Sequence, residues 1–325
     1  MERVARLSAR ERSELFSESA AQKGTTPAVV EKDFWVTWVL NRLFREPEPS
    51  RVLMFKGGTS LSKVYRLIER FSEDIDLILD WRVLSGEDPL DARSKTKQAR
   101  LNAVLDEQAQ HYIGGKLLSL VEVALDGVCS CVVDADDPHV INIKYPAAFP
   151  DDYLRPEVRL EIGPLASWLP FEERTITCYA AEAFPDVFEQ SECLVRVIKA
   201  ERTFWEKATI LHHEAHRPEG NPQPPRYSRH YYDLAKMAQS PVKENALADT
   251  GLLASVVEFK QRFYPRGWAR YDLAKPATLC LVPEGHVLAS AKADYRAMEN
   301  MIFGEVPEFD EILAVLQMLQ EEINA

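Results

Sequence analysis

Two aspartates separated by one residue, Asp74 and Asp76, combine a chemistry and a spacing that suit metal binding. Residues 74–79 (DIDLIL) begin with alternating acidic and apolar positions, which predicts a β-strand. On a strand, residues i and i+2 share one face with Cα atoms roughly 6.6 Å apart, so both carboxylates would point at one spot. Mg²⁺ is bound in proteins by a few carboxylates together with substrate phosphates. The spacing therefore predicts a divalent-metal site; an exposed acid pair without function is the alternative.

Two glycines upstream, Gly57 and Gly58, follow a short apolar run and precede Thr59 and Ser60. Paired glycines let the backbone turn sharply and approach a ligand without a Cβ in the way. The two hydroxyl residues stand where an amphipathic helix is predicted to begin, so a hydroxyl and backbone N–H groups can face an anion. We therefore expect this turn to contact phosphate, with an ordinary Gly-Gly β-turn as the alternative.

A third acid, Glu161, lies in the alternating segment EVRLEIG at residues 157–163. The alternation predicts a strand on which Glu161 shares a face with Glu157 and Arg159. If that strand lies next to the strand of the two aspartates, Glu161 becomes a third carboxylate on the metal side. A glutamate that faces solvent is the alternative. Further strands are predicted for residues 128–133, 140–145 and 174–179.

The part of the chain that follows Cys193 turns helical in composition. Lys207 lies on a helix predicted for residues 200–215. A lysine near a phosphate site can neutralise charge as pyrophosphate leaves, although most helical lysines are simply solvated. Arg229 and Asp233 are four residues apart on the next predicted helix, so they can face one cleft or form an ordinary salt bridge.

Residues 260–275 (KQRFYPRGWARYDLAK) interleave basic and aromatic side chains. That mixture suits a surface for nucleic acid or nucleotide, because aromatic rings stack on bases while cations contact phosphates. A pair of surface helices with buried aromatic residues explains the same pattern equally well.

Zinc is not expected from the histidines and cysteines. His212 and His216 have i, i+4 spacing without an evident third ligand, and the sequence HEAH at 213–216 lacks the HExxH arrangement. Cys129 and Cys131 alternate along a predicted strand without a second ligand pair nearby.

Composition limits the class of protein. A chain of 325 residues is long enough for one large domain or two ordinary ones. The net charge of −12 argues against a general, sequence-independent coat on nucleic acid, although a local basic cluster could still contact tRNA. Five cysteines without an apolar leader indicate a reducing cytosol. No apolar run approaches the roughly 18–20 residues that span a bilayer, so we expect a cytoplasmic protein with no membrane partner.

Several segments together resemble the AbiEii/AbiGii family of nucleotidyltransferase toxins, the enzyme component of bacterial type IV toxin–antitoxin and phage abortive-infection systems. They extend from about residue 31 to the C-terminus. The most specific is the first, because it joins the turn, a helix and the two-aspartate strand. The matching segments are FKGGTSLSKVYRLIERFSEDIDLIL, PEVRLEIG, RTFWEKATILHHE, RYSRHYYDLAKM and DYRAMENMIFGEVPEFDEIL.

The resemblance implies an α/β (α+β) fold: a polymerase-β-type nucleotidyltransferase core with a mixed sheet, and a helical C-terminal domain. We expect residues 1–197 to form the core with its N-terminal helices, and residues 198–325 to complete a cleft for NTP and acceptor. Lys207 and Asp233 fall on the lysine-helix and aspartate-helix motifs of the family.

Catalytic and binding roles follow from the resemblance as expectations. Asp74, Asp76, Lys207 and Asp233 are the expected catalytic residues, with Asp233 positioning nucleotide or acceptor. The expected metal ligands for Mg²⁺ or Mn²⁺ are Asp74, Asp76 and Glu161. The expected nucleotide contacts are Gly57, Gly58, Thr59, Ser60, Lys63 and Arg229.

The implied activity is transfer of NMP from an NTP to an acceptor, with release of pyrophosphate. In the MenT-like branch of the family the acceptor is the 3′ end of tRNA, which we expect here. An antitoxin of the winged-helix type is the expected protein partner. Two alternatives stay open: NMP transfer to a protein or small molecule, and a module that binds nucleotide or antitoxin without turnover.

Overall fold

A mixed sheet forms the centre of the first part of the chain. The computed structural model describes residues 1–70, 74–149 and 156–325. Its strands are β1 (Leu53–Lys56), β2 (Asp74–Leu79), β3 (Ser130–Val133), β4 (Val140–Lys144), β5 (Glu157–Gly163), β6 (Phe171–Thr177) and β7 (Glu192–Ile198). Within this described part their order is β3-β4-β5-β2-β1-β7-β6. The pairs β1–β7 and β2–β5 are parallel, and the other neighbours are antiparallel. The expected α/β class with a mixed sheet is confirmed.

Along the chain, helices precede, separate and follow the strands, and they make up most of the second half. They are α1 (Glu2–Ala5), α2 (Ala9–Lys23), α3 (Pro27–Arg45), α4 (Pro47–Val52), α5 (Gly57–Lys63), α6 (Lys95–Tyr112), α7 (Leu118–Leu125), α8 (Tyr179–Ala183), α9 (Ala200–Ala215), α10 (Arg229–Ala238), α11 (Val242–Ala248), α12 (Thr250–Phe263), α13 (Gly285–Met298) and α14 (Phe309–Asn324). A π-helical segment, Ile113–Leu117, joins α6 to α7, and short 3₁₀ turns cover Trp81–Val83, Pro185–Val187, Tyr271–Leu273 and Glu299–Met301. None of the helices in the described residues is long and apolar enough to cross a membrane.

The chain divides into two compact units. The first comprises Met1–Val64 and Ser72–Ile198, and the second comprises Tyr65–Phe71 and Lys199–Ala325. The short segment Tyr65–Phe71 thus belongs with the helices of the second unit, although it precedes β2 in sequence.

Helix α3 is the central helix of the first unit. Thr26 precedes it, and the hydroxyl of Thr26 accepts a hydrogen bond from the N–H of Val29 at the start of the helix. Trp35 and Trp38 are fully buried, and the helix packs against α2 and β7. Because its buried residues lie all around the axis, α3 is a core helix of this unit rather than a surface helix.

Strand β7 corrects the expectation that the chain turns helical from Cys193. Residues 192–198 pair with β6 and, at Phe55, with β1. Cys193, Val195 and Val197 are buried, while the residues between them are more exposed, so the period of two is present in the sequence. The strand directly precedes α9, and this proximity to a strong helical pattern masked it.

Helix α5 is shorter than the amphipathic helix that the sequence predicts after the glycines. It ends at Lys63, and Arg66 takes a left-handed conformation with φ of 52°. A left-handed residue cannot continue a right-handed helix. The apolar residues beyond this point, Leu67 and Ile68, therefore belong to an irregular segment.

Candidate active site

The turn between β1 and α5 places a glycine directly against an aspartate. Gly57 has φ of 81°, a conformation that side chains other than glycine rarely adopt. A Cβ added at Gly57 would lie 1.9 Å from the Oδ2 atom of Asp76. Gly57 is thus required twice, by its backbone conformation and by the carboxylate packed upon it. Gly58 is the second residue of α5 and is half-buried.

Strand β2 presents its two acids on the face opposite the core. Ile75 and Leu77 are fully buried, whereas Asp74 and Asp76 are half-buried. The register with the parallel strand β5 pairs Asp76 with Glu161. Register partners on neighbouring strands point to the same side of a sheet, so the three acids share one face.

Arg159 shares the face of these acids. It is the register partner of Asp74, and its Nε atom lies 3.8 Å from the Oδ1 atom of that residue. Its Nη1 atom is 3.2 Å from Oδ2 of Asp134, whose pKa is lowered to about 2 chiefly by a hydrogen bond from Asn142. The guanidinium therefore balances part of the negative charge beside the aspartates.

The donor set on this face fits a hard divalent cation. Carboxylate oxygens are the ligands that Mg²⁺ prefers, and Mg²⁺ commonly takes only one or two from protein, with water and substrate phosphate supplying the rest. Among the described residues, no group of three or more His, Cys, Asp or Glu side chains forms a metal-binding cluster. The fit thus rests on Asp74 and Asp76, with Glu161 on the adjacent strand.

The hydroxyls and the lysine of α5 are directed into the protein. The Thr59 hydroxyl donates to the carbonyl of Asp74, and the Ser60 hydroxyl donates to the carbonyl of Gly57 at 2.7 Å. Both residues are buried. They fasten the turn to β2 and close the first turn of the helix, so only the backbone of this segment is suited to contact a phosphate.

Lys63 is held in a buried ion pair. Its Nζ atom lies 2.5 Å from Oδ1 of Asp33 and donates to the carbonyl of Thr177 at 2.9 Å, beside the ring of Tyr179. Burial raises the pKa of Asp33 even though Lys63 opposes the shift. These contacts favour a structural role for Lys63, which docks α5 on α3, over the nucleotide contact expected from the sequence.

The second unit contains a fully buried carboxylate, Asp233. Arg70 binds it with two hydrogen bonds, from Nε to Oδ1 at 2.7 Å and from Nη2 to Oδ2 at 2.8 Å. The Nζ atom of Lys207 lies 2.7 Å from Oδ2. Burial favours the protonated acid, but Arg70 and Lys207 outweigh it and hold the pKa of Asp233 below its ordinary value. Asp233 is thus an ionised, fully neutralised group.

His230 completes this cluster on α10. Its Nδ1 atom lies 3.3 Å from Nζ of Lys207. Burial, then the charges of Lys207 and Arg229, lower the pKa of His230 well below its usual value, so the ring is neutral. An ammonium can only donate, which makes Nδ1 the acceptor and places the ring proton on Nε2.

Arg229 does not form the salt bridge with Asp233 that its i, i+4 spacing suggested. The carboxylate is bound by Arg70 and Lys207 instead. Burial lowers the pKa of Lys207, and the charges of Arg70 and Arg229 lower it further while Asp233 opposes them. Arg229 is half-buried and adds positive charge beside the lysine.

Nearby acidic residues neutralise much of the positive charge of the basic and aromatic segment at 260–275. Arg262 pairs with Glu258 at 2.9 Å and Arg270 with Asp272 at 3.1 Å. Arg266 is exposed and lies 5.7 Å from the centre of the Trp268 ring. The segment therefore offers fewer uncompensated cations than its composition suggests.

Two residues of the second-unit cluster escaped the sequence analysis, Arg70 and His230. Arg70 lies 163 positions from Asp233 in sequence, and no local pattern connects them. The sequence did contain a signal for His230. The residue lies one helical turn before Leu234, within the segment RYSRHYYDLAKM on which the family resemblance partly rests. The expected residues thus fall into two groups: Gly57, Gly58, Thr59, Ser60, Lys63, Asp74, Asp76 and Glu161 in the first unit, and Lys207, Arg229 and Asp233 in the second.

A glycine turn packed on a two-aspartate strand within a mixed sheet has the features of a nucleotidyltransferase. The family model of the nucleotidyl transferase AbiEii toxin, type IV toxin–antitoxin system, matches residues 38–315. The chain belongs to this family, as its resemblance in sequence predicts. Among solved structures it is similar to MenT4, a nucleotidyltransferase toxin from Mycobacterium tuberculosis, with 16% identity and a TM-score of 0.43 over 98% of this chain and 97% of that one. No curated protein matches.

Proposed function

We propose that this toxin transfers NMP from an NTP to an acceptor hydroxyl, with the 3′ end of tRNA as the acceptor. The observation that carries the proposal is the packing of Asp76 on Gly57, with Asp74 and Glu161 on the same sheet face. This arrangement sets carboxylates directly beside a turn whose two glycines carry no side chain of their own, and such a turn lets backbone N–H groups approach a metal-bound triphosphate.

In the proposed reaction, the acceptor hydroxyl loses its proton to water as its oxygen attacks the α-phosphorus of the NTP in line with the leaving group. The bond from the α-phosphorus to its bridging oxygen breaks, and pyrophosphate leaves. Asp74 and Asp76, with Glu161, are the residues that would hold Mg²⁺ or Mn²⁺, and the ion when bound neutralises phosphate charge. The backbone of Gly57 and Gly58 approaches the β- and γ-phosphates.

The protein contributes positioning and charge in this scheme. Phosphoryl transfer needs little covalent help, so orientation and electrostatic stabilisation account for most of the rate. Lys207 stabilises the charge that develops on pyrophosphate, and Arg229 adds a second cation on the same side. We assign the nucleotidyltransferase core to the first unit, and Lys207 and Arg229 belong to the second, which also includes Tyr65–Phe71.

The acceptor is assigned to tRNA on the basis of the segment 260–275. Arg266 lies beside Trp268, a pairing of cation and ring that suits a nucleotide backbone and base. The local acid partners of Arg262 and Arg270 limit this surface, which fits a selective rather than a general contact with RNA. The family also implies an antitoxin partner, and we propose one of the winged-helix type.

The test is incubation with each of the four α-labelled NTPs and Mg²⁺, in the presence of total tRNA, total protein or a set of small hydroxyl and amino compounds. The expected result is label on the 3′ end of tRNA with wild-type protein, and none with Asp76→Asn. Label on protein or on a small compound instead of tRNA would show that the proposed acceptor is wrong. Absence of label in every reaction, with NTP still bound, would indicate a binding module and overturn the proposal.

A further inference from the structure

Asp233 has no surface left for a substrate. It is fully buried, and three hydrogen bonds from Arg70 and Lys207 occupy its two oxygens. A carboxylate offers about four acceptor positions, and three are in use here. A group in this state cannot bind a nucleotide or an acceptor directly. Its effect on the reaction must pass through the groups that it holds.

Arg70 is fixed from both its backbone and its side chain. Arg70 forms a β-bridge with Ile302, and the preceding carbonyl, that of Glu69, accepts a hydrogen bond from the N–H of Phe303 at 2.6 Å. The N–H of Glu69 donates to the Tyr232 hydroxyl at 3.3 Å. Arg70 is buried, and its guanidinium donates to both oxygens of Asp233, so we treat it as an internal support.

Lys207, which is buried with 5% of its surface exposed, is the member of the cluster to which the proposed function gives a role on pyrophosphate. Its ammonium donates to Asp233 and lies against the Nδ1 atom of His230. These two contacts set the direction of an otherwise flexible four-carbon side chain. A charge that must meet a developing charge on pyrophosphate needs such a fixed direction, because small misplacements remove most of the benefit.

We infer that Arg70 is a positioning residue that acts through Asp233 on Lys207. The planar guanidinium holds the carboxylate by two parallel hydrogen bonds, and the carboxylate holds the ammonium. This inference rests on the proposed function, and it revises the role expected for Asp233 from a substrate contact to an intermediate support. It adds Arg70 to the residues on which turnover depends.

The same unit contains a matched control. Arg217 binds the buried carboxylate of Glu214 through Nε at 2.7 Å and Nη2 at 2.6 Å. Both residues are as buried as Arg70 and Asp233. The other partners of Glu214 are His213 and Gln223, neither of which is a lysine. Arg217→Lys therefore reproduces the loss of a two-point guanidinium contact without touching Lys207.

The first arm of the experiment measures turnover. Lysine at position 70 keeps the charge but cannot bind both oxygens. We expect Arg70→Lys to lower kcat by roughly 10- to 100-fold, the effect of a small misplacement, with KM for NTP changed less than about threefold. Arg217→Lys should lower the melting temperature about as much as Arg70→Lys does, and it should leave kcat within about twofold of wild type.

The second arm combines variants. Lys207→Met should lower kcat by roughly 10²–10³, as for the loss of a well-placed electrostatic donor. If Arg70 acts only through this lysine, adding Arg70→Lys to Lys207→Met should lower kcat no further. A full additional loss in the double variant would overturn the inference, as would an equal loss of kcat in Arg217→Lys.

The third arm does not require activity and so separates this inference from the proposed function. With ¹⁵N-labelled lysine, the Lys207 ammonium resonance is identified by its absence in Lys207→Met. We expect that resonance to shift or broaden in Arg70→Lys and to stay unchanged in Arg217→Lys. An unchanged resonance in Arg70→Lys overturns the inference. If wild type transfers no label while the resonance moves as expected, the proposed function fails and the support of Lys207 stands.

Discussion

The acids of the first unit and the acid of the second unit lie in opposite environments, although the sequence groups them as one catalytic set. The side chain of Asp74 is 25% exposed, and the Nε atom of Arg159 lies 3.8 Å from its Oδ1 atom. Asp233 is fully buried between an arginine and a lysine at 2.7–2.8 Å. A carboxylate whose two oxygens already bind an arginine and a lysine has little charge left for a metal ion, so the half-buried acids are the better candidates for metal ligands. A buried, neutralised carboxylate can only organise other groups.

The largest expected effect comes from the accessible acids. Asp76→Ala should abolish NMP transfer, because one of the two strand carboxylates that would hold the ion is lost. The melting temperature should hold or rise slightly, because removal of one of two neighbouring acids relieves their repulsion. Turnover at several Mg²⁺ concentrations, together with thermal melts, measures both quantities. Activity near that of wild type would remove the two-carboxylate site from consideration.

Asp233→Asn should behave in the opposite way and lose stability. The substitution leaves Arg70 and Lys207 as buried cations without their counter-charge. Breaking a buried ion pair in this manner typically costs about 3–5 kcal/mol. Denaturant unfolding of Asp233→Asn beside Asp76→Asn, the same chemical change in the other unit, gives the comparison. Equal stabilities of the two variants would show that the contrast in burial has no energetic consequence.

The sequence predicted the first-unit acids well because their arrangement is local. A period of two places Asp74 and Asp76 on one strand face. The alternation around Glu161 predicted only a strand, and the pairing of β5 with β2 is known from the sheet. The second-unit cluster was only half predictable. Lys207 and Asp233 came from the family resemblance, whereas Arg70 lies in a segment that continues a helical pattern and meets its partner only through the fold.

Two other outcomes show the same limit of local patterns. Lys63 was grouped with the nucleotide contacts by its position after the glycines, but Asp33 and the Thr177 carbonyl bind it. Those partners are 30 and 114 residues away, so no spacing rule could indicate them. Strand β7 was missed because a strong helix follows it. Local periodicity identifies a strand face, but it does not identify the partner of a buried charge.

The two units should also differ in their response to acid. Burial raises the pKa of Glu31 and Asp33 in the first unit. An acid with a raised pKa in the folded state binds protons more readily there, so lowering the pH does not cost that unit stability through these groups. In the second unit, burial lowers the pKa of His212 to about 4. Its Nδ1 atom accepts the N–H of Cys280, a bond that protonation would break.

These pKa values give the direction in which a fall in pH changes the stability of the second unit. The unfolded histidine takes up its proton near pH 6.5, whereas the folded one does so near 4, so stability is lost as the pH falls from 6.5 to 4. A shift of that size corresponds to about 3 kcal/mol at most. Hydrogen exchange at pH 7 and pH 5 should show faster opening of α9 than of β1 and β2 at the lower pH. His212→Gln should remove the part of the difference that His212 contributes, because burial also lowers the pKa of His213 and His230. Equal acceleration in both units would contradict the prediction.

The sharpest test of the accessible site comes from Gly57→Ala. A left-handed residue other than glycine costs roughly 1–2 kcal/mol. Gly24 provides the matched control, because it has φ of 66° in the same unit and no atom within 4 Å of an added Cβ. Gly24→Ala should therefore lose similar stability and keep full activity.

At Gly57 the added Cβ would also meet Asp76, whose carboxylate lies 1.9 Å from that position. The carboxylate must move away, which displaces it from the face that it shares with Asp74 and Glu161. We expect Gly57→Ala to lose NMP transfer far beyond its loss of stability, and to bind NTP more weakly at any given Mg²⁺ concentration. Equal activity in the Gly57→Ala and Gly24→Ala proteins would show that the glycine only shapes the turn. Loss of NMP transfer in Gly57→Ala but not in Gly24→Ala would show that the turn and Asp76 form one site. In that site Asp76 stays accessible, whereas Asp233 is enclosed.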